Sequence, residues 1–321
     1  MRIILINDTS SNDHVGCNLV VKNTLRICNE IGLNIVKTIH NNAESTLNEL
    51  KKSTDFDCLL INGEGTMHHD RRLAIEFGEC AKWCKSKNKL VVLYNTVWQE
   101  NITLNNYLQF FDLIYCRESL SADLIQKEGY LAKVVPDLVF ASIGLPKFAP
   151  PKDQSNIIVL DAVRKELTRK LGWFAGINKY SFLVMSGNNA KYIKQRFFLS
   201  IFLRVFGSYK DDVSNDEFIA KLSRATKVIS GRFHGTCLAL MLGKQTASIS
   251  SNTHKIEGLY KDIGLDQNVI MKNDRLRKEL IDSQWIECKK NMNLIQRYTE
   301  TAPQKIQKMF KEIKSLEKRV V

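Results

Sequence analysis

The chain has 321 residues and a formal net charge of +13, with 44% hydrophobic and 25% charged residues, five prolines and sixteen glycines. That length exceeds what one growing core usually holds, and the composition excludes long disordered, collagen-like and transmembrane-dominated architectures. The positive excess points to acidic partners such as a phosphorylated small molecule or an anionic membrane surface; without a zinc-finger, RRM or basic-aromatic signature, nucleic acid is not expected.

The opening run Met1-Arg-Ile-Ile-Leu-Ile6 is too short for a signal peptide's apolar region and reads as a first strand. Further strands are expected at 33–38, 58–62, 90–95, 113–116 and 133–135, with helices at 18–30, 46–52, 73–85, 103–110 and 120–128. Strands alternating with amphipathic stretches predict βαβ units and a mostly parallel sheet, a Rossmann-like domain over residues 1–150. The stretch 144–155 carries three of the five prolines and reads as a linker. Beyond it, strands at 156–160, 181–185, 227–230 and 246–250 alternate with helices at 164–171, 190–206, 215–225, 235–242 and 256–263. They predict a second Rossmann-like domain over 151–283, the two sheets facing a cleft, with ligands beyond the carboxyl ends of the strands. Residues 284–321 are helical in pattern, with Pro303 expected to break or begin a helix, and are expected to pack back on the domains.

No run reaches the ~18 apolar residues of a membrane span. The nearest, 197–206, is short and contains Arg204, so a cytoplasmic protein is expected. The stripe Lys305, Lys308, Lys311, Lys314, Lys318 and Arg319 is either a solvated helix face or a peripheral contact with the inner face of an anionic membrane. Eight cysteines scattered through strands and helices read as reduced thiols, and Cys80 with Cys84 lacks the companion pair of a zinc site.

Chemistry concentrates where strands give way to helices. In Ser230-Gly-Arg-Phe-His-Gly235 a polar turn joins an apolar strand to an apolar helix, where N–H groups and the helix dipole favour an anion. Arg232 adds a forked cation, His234 a titratable group, and Ser230 and Gly235 flank them; alternatively Arg232 pairs with a carboxylate and His234 caps the helix. In Asn62-Gly-Glu-Gly65 a second strand ends in a turn whose Gly63 and Gly65 offer backbone donors and whose Glu64 is a candidate base, or equally a cap for the next helix. The adjacent His68 and His69, if extended, point to opposite sides, so one at most lines the cleft; no metal site is expected there. Arg117 follows a strand as Arg232 does, and Asp137, held by Pro136, orients either Arg117 or a ligand hydroxyl, an internal Arg117–Asp137 pair being the alternative. In the first loop His14 and Gly16 are candidate ligand contacts, and Lys255, opening the helix after the last strand, is placed to reach an anion at Arg232.

In chain order, Asn62-Gly-Glu-Gly65, Cys116-Arg-Glu-Ser119, Val135-Pro-Asp-Leu138, Ser230 to Gly235 and His254-Lys-Ile256 resemble the polysaccharide pyruvyl transferase family over about residues 1–265. The resemblance implies a two-domain fold of the glycosyltransferase-B (GT-B) type and transfer of a carboxyvinyl unit from phosphoenolpyruvate to sugar hydroxyls, giving a pyruvate ketal; no cofactor is expected, and because no carboxylate cluster resembles a magnesium site, no metal is expected either. It implies that Arg117, Arg232 and His234 hold the donor's phosphate and carboxylate, and that His234 protonates the methylene carbon. The acceptor would be a cell-surface polysaccharide or its precursor, in one version lipid-linked. Two departures stand out: Glu64 interrupts a run of glycines, and Asp13-His-Val-Gly-Cys17 stands where many members carry a Gly-Asp turn. Two other readings stay open, a GT-B glycosyltransferase using a nucleotide-activated, perhaps acidic, sugar with Glu64 or Asp137 as base, and a non-catalytic carbohydrate-binding protein.

Overall fold

The computed structural model describes residues 1–146, 156–210, 214–265, 270–271 and 276–319. The expected linker and the boundary at residue 150 lie largely outside the described residues. The chain divides into two compact units: unit 1 holds Met1–Asn12, Cys17–Ala141 and Ala302–Val321, and unit 2 holds Asp13–Gly16 and Ser142–Thr301.

Unit 1 runs β1 (Arg2–Asp8), α1 (Val15–Glu30), β2 (Asn34–His40), α2 (Thr46–Lys51), β3 (Cys58–Glu64), α3 (Arg72–Ser86), β4 (Leu90–Thr96), β5 (Leu113–Cys116), α4 (Ser119–Lys127) and β6 (Lys133–Val134), with 3-10 turns at Leu104–Phe110 and Leu138–Ala141. The sheet order is β2-β1-β3-β4-β5-β6, every pairing parallel. Buried on both faces, the central strands are continuous apolar runs. On one face Ile4, Ile6, Leu59, Ile61, Val91 and Leu93 pack with Phe77, Cys80 and Cys84 of α3. Burial pushes the thiols of Cys80 and Cys84 up, and all eight cysteines are free.

Unit 2 runs β7 (Ile157–Ala162), α5 (Lys165–Ile177), β8 (Ser181–Leu183), α6 (Gly187–Lys194), α7 (Phe197–Phe206), α8 (Asn215–Ser223), β9 (Lys227–Gly231), α9 (Phe233–Met241), β10 (Gln245–Ile249), α10 (Lys255–Ile263), β11 (Ile270–Met271) and α11 (Lys278–Lys290), followed by α12 (Met292–Ser315). The parallel order is β11-β10-β9-β7-β8. Val159, Ile229, Ala247 and Ile249 pack with Leu171 of α5 and Ile281 and Trp285 of α11. The Trp285 indole donates to the Val228 carbonyl at 3.1 Å. Among the described residues no helix is long and apolar enough to cross a membrane.

Two expectations need correction, and one strand was not expected. The helix expected over 190–206 is two, because Arg196 leaves the helical region (φ −102°, ψ 82°) and turns α7 onto α5. There Leu203 and Phe202 lie so close to Gly172 and Gly176 that a Cβ at Gly176 would sit 2.1 Å from the Phe202 ring. Pro303 neither breaks nor begins a helix: it lies inside α12, whose Ala302, Ile306, Phe310 and Ile313 are buried in unit 1. Thr301 Oγ1 there donates to the Arg297 carbonyl, and burial of this face offsets the lost backbone bond. The edge strand β11 went unpredicted because two residues carry no periodic signal.

Candidate active site

In unit 2 the turn between β9 and α9 is held by its own side chains. Ser230 Oγ donates to the Arg232 carbonyl at 2.8 Å and accepts from the Arg232 N–H at 3.2 Å, which spends the hydroxyl inside the turn. Gly231 and Gly235 let the backbone lie against β7: a Cβ at Gly231 would sit 2.5 Å from Ala162 Cβ, and one at Gly235 2.6 Å from Leu160. Ser230 holds the turn through hydrogen bonds, and Gly235 shapes it through close packing. Arg232 is the extended N-cap residue of α9, and its side chain makes no capping hydrogen bond.

The Arg232 guanidinium is fixed by Asp161 at the carboxyl end of β7. Nε donates to Oδ2 at 3.1 Å and Nη2 at 2.7 Å, with the Asp161 side chain fully buried. Asp161 also accepts from the Met185 N–H at 3.0 Å and from Asn189 Nδ2 at 2.6 Å. Arg232 does pair with a carboxylate, but along one edge; its Nη1 edge has no protein partner among the described residues. Sequence reasoning missed Asp161, whose signal was present as an acid directly ending the apolar run Ile157-Ile-Val-Leu160.

The four residues Asp13–Gly16 fold with unit 2 instead of staying a loop of the first domain. Gly187 N–H donates to the Asp13 carbonyl at 2.8 Å, and Val15 N–H to the Met185 carbonyl at 3.2 Å. Gly16 is pressed against His234, where a Cβ would lie 2.3 Å from His234 Cβ and Nδ1. His14 meets the His234 ring edge-on, centroids 5.7 Å apart. Burial, then the charges of Arg232 and His234, hold the His14 pKa well below the ordinary imidazole value; a backbone hydrogen bond opposes this and Lys255 adds to it. Lys255 is buried and opens α10, with Nζ donating to Asn252 Oδ1 at 2.6 Å. Arg232 and Lys255 thus place positive charge around His14, Gly16 and His234. Beside them Asp13, Ser186, Lys191, Lys194 and Asn215 line a cavity of about 430 Å³.

Unit 1 brings a second group to the carboxyl ends of its strands. Arg117 and Asp137 are buried and paired, Nη1 to Oδ2 3.2 Å, while Asp137 Oδ1 accepts from the Val139 N–H at 2.9 Å. The internal pair is the arrangement present, so Asp137 is committed to Arg117 and its own turn. Glu64 does not cap the next helix. Its Oε2 accepts from Thr9 Oγ1 at 2.9 Å and Asn62 Nδ2 at 3.4 Å, and its φ is +37°. Gly63 is required by packing, since a Cβ would sit 2.4 Å from Thr96 Oγ1; at Gly65 the nearest atom, Arg117 Nη2, is 3.9 Å away.

His68 and His69 do not point apart. Their Nδ1 atoms are 2.7 Å apart, because His69 is left-handed (φ +56°) and not extended, and its Nε2 reaches Glu100 at 2.9 Å. Asn7 and Asn95, also missed, are left-handed at φ +60° and +54° on strands flanking β3. Asn7 Oδ1, Asn62 Oδ1 and Asn95 Nδ2 are buried without a hydrogen-bond partner among the described residues, which places unsatisfied polar atoms at three neighbouring strand ends. The signal was the repeated ending of an apolar run in asparagine: Ile6-Asn7, Ile61-Asn62, Tyr94-Asn95.

A family model described as polysaccharide pyruvyl transferase matches residues 14–253. No curated protein sequence matches the chain. Among solved structures the chain is similar to a putative UDP-N-acetylglucosamine 2-epimerase from Listeria monocytogenes, with TM-score 0.55, 11% identity and 97% of each chain covered. It is also similar to MurG from Acinetobacter baumannii, with TM-score 0.53, 10% identity, and 97% of this chain and 99% of that one covered. A UDP-GlcNAc 2-epimerase from Neisseria meningitidis gives TM-score 0.51 at 10% identity, over 97% of this chain and all of the other. At such identities the likeness concerns the fold, which is an α/β fold of the GT-B type with parallel sheets.

Proposed function

This chain belongs to the polysaccharide pyruvyl transferase family and is a transferase, and on that premise we propose that it transfers pyruvate from phosphoenolpyruvate to a saccharide of a cell-surface polysaccharide or its precursor. The observation that carries the reading is the electropositive group of unit 2. Arg232, His234 and Lys255 all act on His14 at the amino end of α9, and the carboxylate of Asp161 answers only one edge of Arg232. Phosphoenolpyruvate is small and carries two anionic groups, so it needs several cations converging within one short span.

In this reading Arg232 presents Nη1 to the donor while Asp161 keeps the guanidinium plane fixed, and Lys255 and the α9 dipole add positive potential. His234 gives a proton to the methylene carbon, leaving an oxocarbenium-like centre at C2. One sugar hydroxyl adds there and returns its proton to His234. A second hydroxyl then displaces phosphate, its proton leaving with the phosphate, so the products are the ketal and inorganic phosphate. His14 supplies a neutral imidazole beside His234, able to accept a hydrogen bond from the imidazolium. In unit 1, Glu64 is the carboxylate we assign to a saccharide hydroxyl, and Asn7, Asn62 and Asn95 supply further hydrogen-bonding groups.

The test is incubation with phosphoenolpyruvate and a panel of saccharide acceptors, following phosphate release and product mass. The reading expects one phosphate per pyruvate ketal formed. Glycosylation from a nucleotide-activated sugar, with phosphoenolpyruvate inert, would replace it with the glycosyltransferase reading.

A further inference from the structure

Helix α7 reads Phe197-Phe-Leu-Ser-Ile-Phe-Leu-Arg-Val-Phe206, and only Leu199, Ser200 and Leu203 of it are buried. The opposite side presents Phe197, Phe198, Ile201, Val205 and Phe206, with Phe198 81% and Phe197 68% exposed. Elsewhere in the chain exposed apolar residues such as Ile102 and Leu131 occur singly, which is ordinary; five on ten residues of one helix form a patch. The patch has a basic rim: Lys191, Lys194, Arg196 and Arg204 are exposed, and α6 and α7 contain no acidic residue. Along one side a groove of about 500 Å³ is lined by Arg169, Trp173, Tyr192, Arg196, Phe197 and Phe198. Its guanidinium at Arg196 stacks 4.8 Å from the Tyr192 ring.

We propose that α7 is a membrane-interface helix that lies in the plane of an anionic lipid surface, with Phe197, Phe198, Ile201 and Val205 among the acyl chains and Arg196, Arg204 and Lys194 on headgroup phosphates. Ten residues are far short of the ~20 that span a bilayer, and the combination of an apolar face with a cationic rim is that of an interfacial helix. Charge decides against a second copy of this chain as the occupant. The acid beside this rim, Glu166 of α5, is already paired with Arg169, so a two-fold pairing would set the cationic rim against its own copy, whereas lipid phosphates answer it. Membrane contact is thereby assigned to α7; on α12 Lys308 and Lys311 are exposed, whereas Lys314 is half-buried and donates to the Ile31 carbonyl.

Flotation of the full chain with phosphatidylcholine vesicles, with and without about one quarter phosphatidylglycerol, tests this. The wild type is expected to float with the anionic vesicles and to be released by salt. The double substitution Phe197→Ser/Phe198→Ser should lower partitioning by about ten-fold or more, and Lys194→Glu should lower it as well. Lys308→Glu/Lys311→Glu on α12 should bind as the wild type does. Absence of wild-type flotation, loss confined to the α12 variant, or a dimer that Phe197→Ser/Phe198→Ser converts to monomer in light scattering would overturn the assignment. Each outcome is read without the transferase reaction.

Discussion

Arg232 donates from both Nε and Nη2 to one carboxylate oxygen of Asp161, at 3.1 and 2.7 Å. The pair makes Arg232 a structural residue along one edge and a ligand-facing residue along the other, so the two roles must be separated by choice of substitution. Arg232→Ala leaves a fully buried carboxylate without its cation and should cost about 3 kcal/mol in urea unfolding. Arg232→Ala combined with Asp161→Asn should recover part of that loss but no turnover. Full stability in the single variant would show that the pair holds nothing in place.

Gly16 has no room for a side chain against His234. Gly16→Ala should displace either Asp13–Gly16 or the imidazole, costing about 1 to 3 kcal/mol and a larger share of catalytic activity. Wild-type kinetics would show that His234 does not depend on this approach.

The pH dependence follows from His14. Its folded pKa is depressed well below 6.5, mainly by burial and by Arg232 and His234. The unfolded chain therefore takes up a proton at His14 that the folded chain refuses. The stability tied to the neutral imidazole is complete above the unfolded value and falls as pH drops below about 6.5 until the folded pKa is passed. Denaturant midpoints of wild type and His14→Asn should diverge on acidification, the wild type losing more. Parallel curves would contradict a depressed pKa.

Much of the architecture was legible. Periodicity marks the parallel units because buried parallel strands must be apolar throughout, and glycine-flanked polar turns mark Ser230 to Gly235 and Asn62 to Gly65. What escaped was what the sequence encodes only through distant partners. Asp161 acquires its role from Arg232, 71 residues away, and Gly16 from His234. The contact between His68 and His69 depends on a left-handed φ that no periodic pattern announces. Pro303 stays in α12 because tertiary burial outweighs a local preference.

Glu64 holds a left-handed backbone, of the kind that costs on the order of 1 to 3 kcal/mol, while accepting hydrogen bonds from Thr9 and Asn62. Glu64→Gly should relieve the strain and lose those bonds, leaving stability within about 1 kcal/mol, while turnover falls. Retained turnover would remove Glu64 from the chemistry, and collapse of the fold would make it purely structural.

The central claim is that the group around Arg232 is a phosphoenolpyruvate site. Calorimetric titration of the full chain with phosphoenolpyruvate, and separately with UDP and CMP, tests it most directly. Saturable binding of one phosphoenolpyruvate per chain is expected, weakened by Arg232→Lys and by Lys255→Met, with no comparable nucleotide binding. Saturable binding of UDP or CMP, with none of phosphoenolpyruvate, would contradict it.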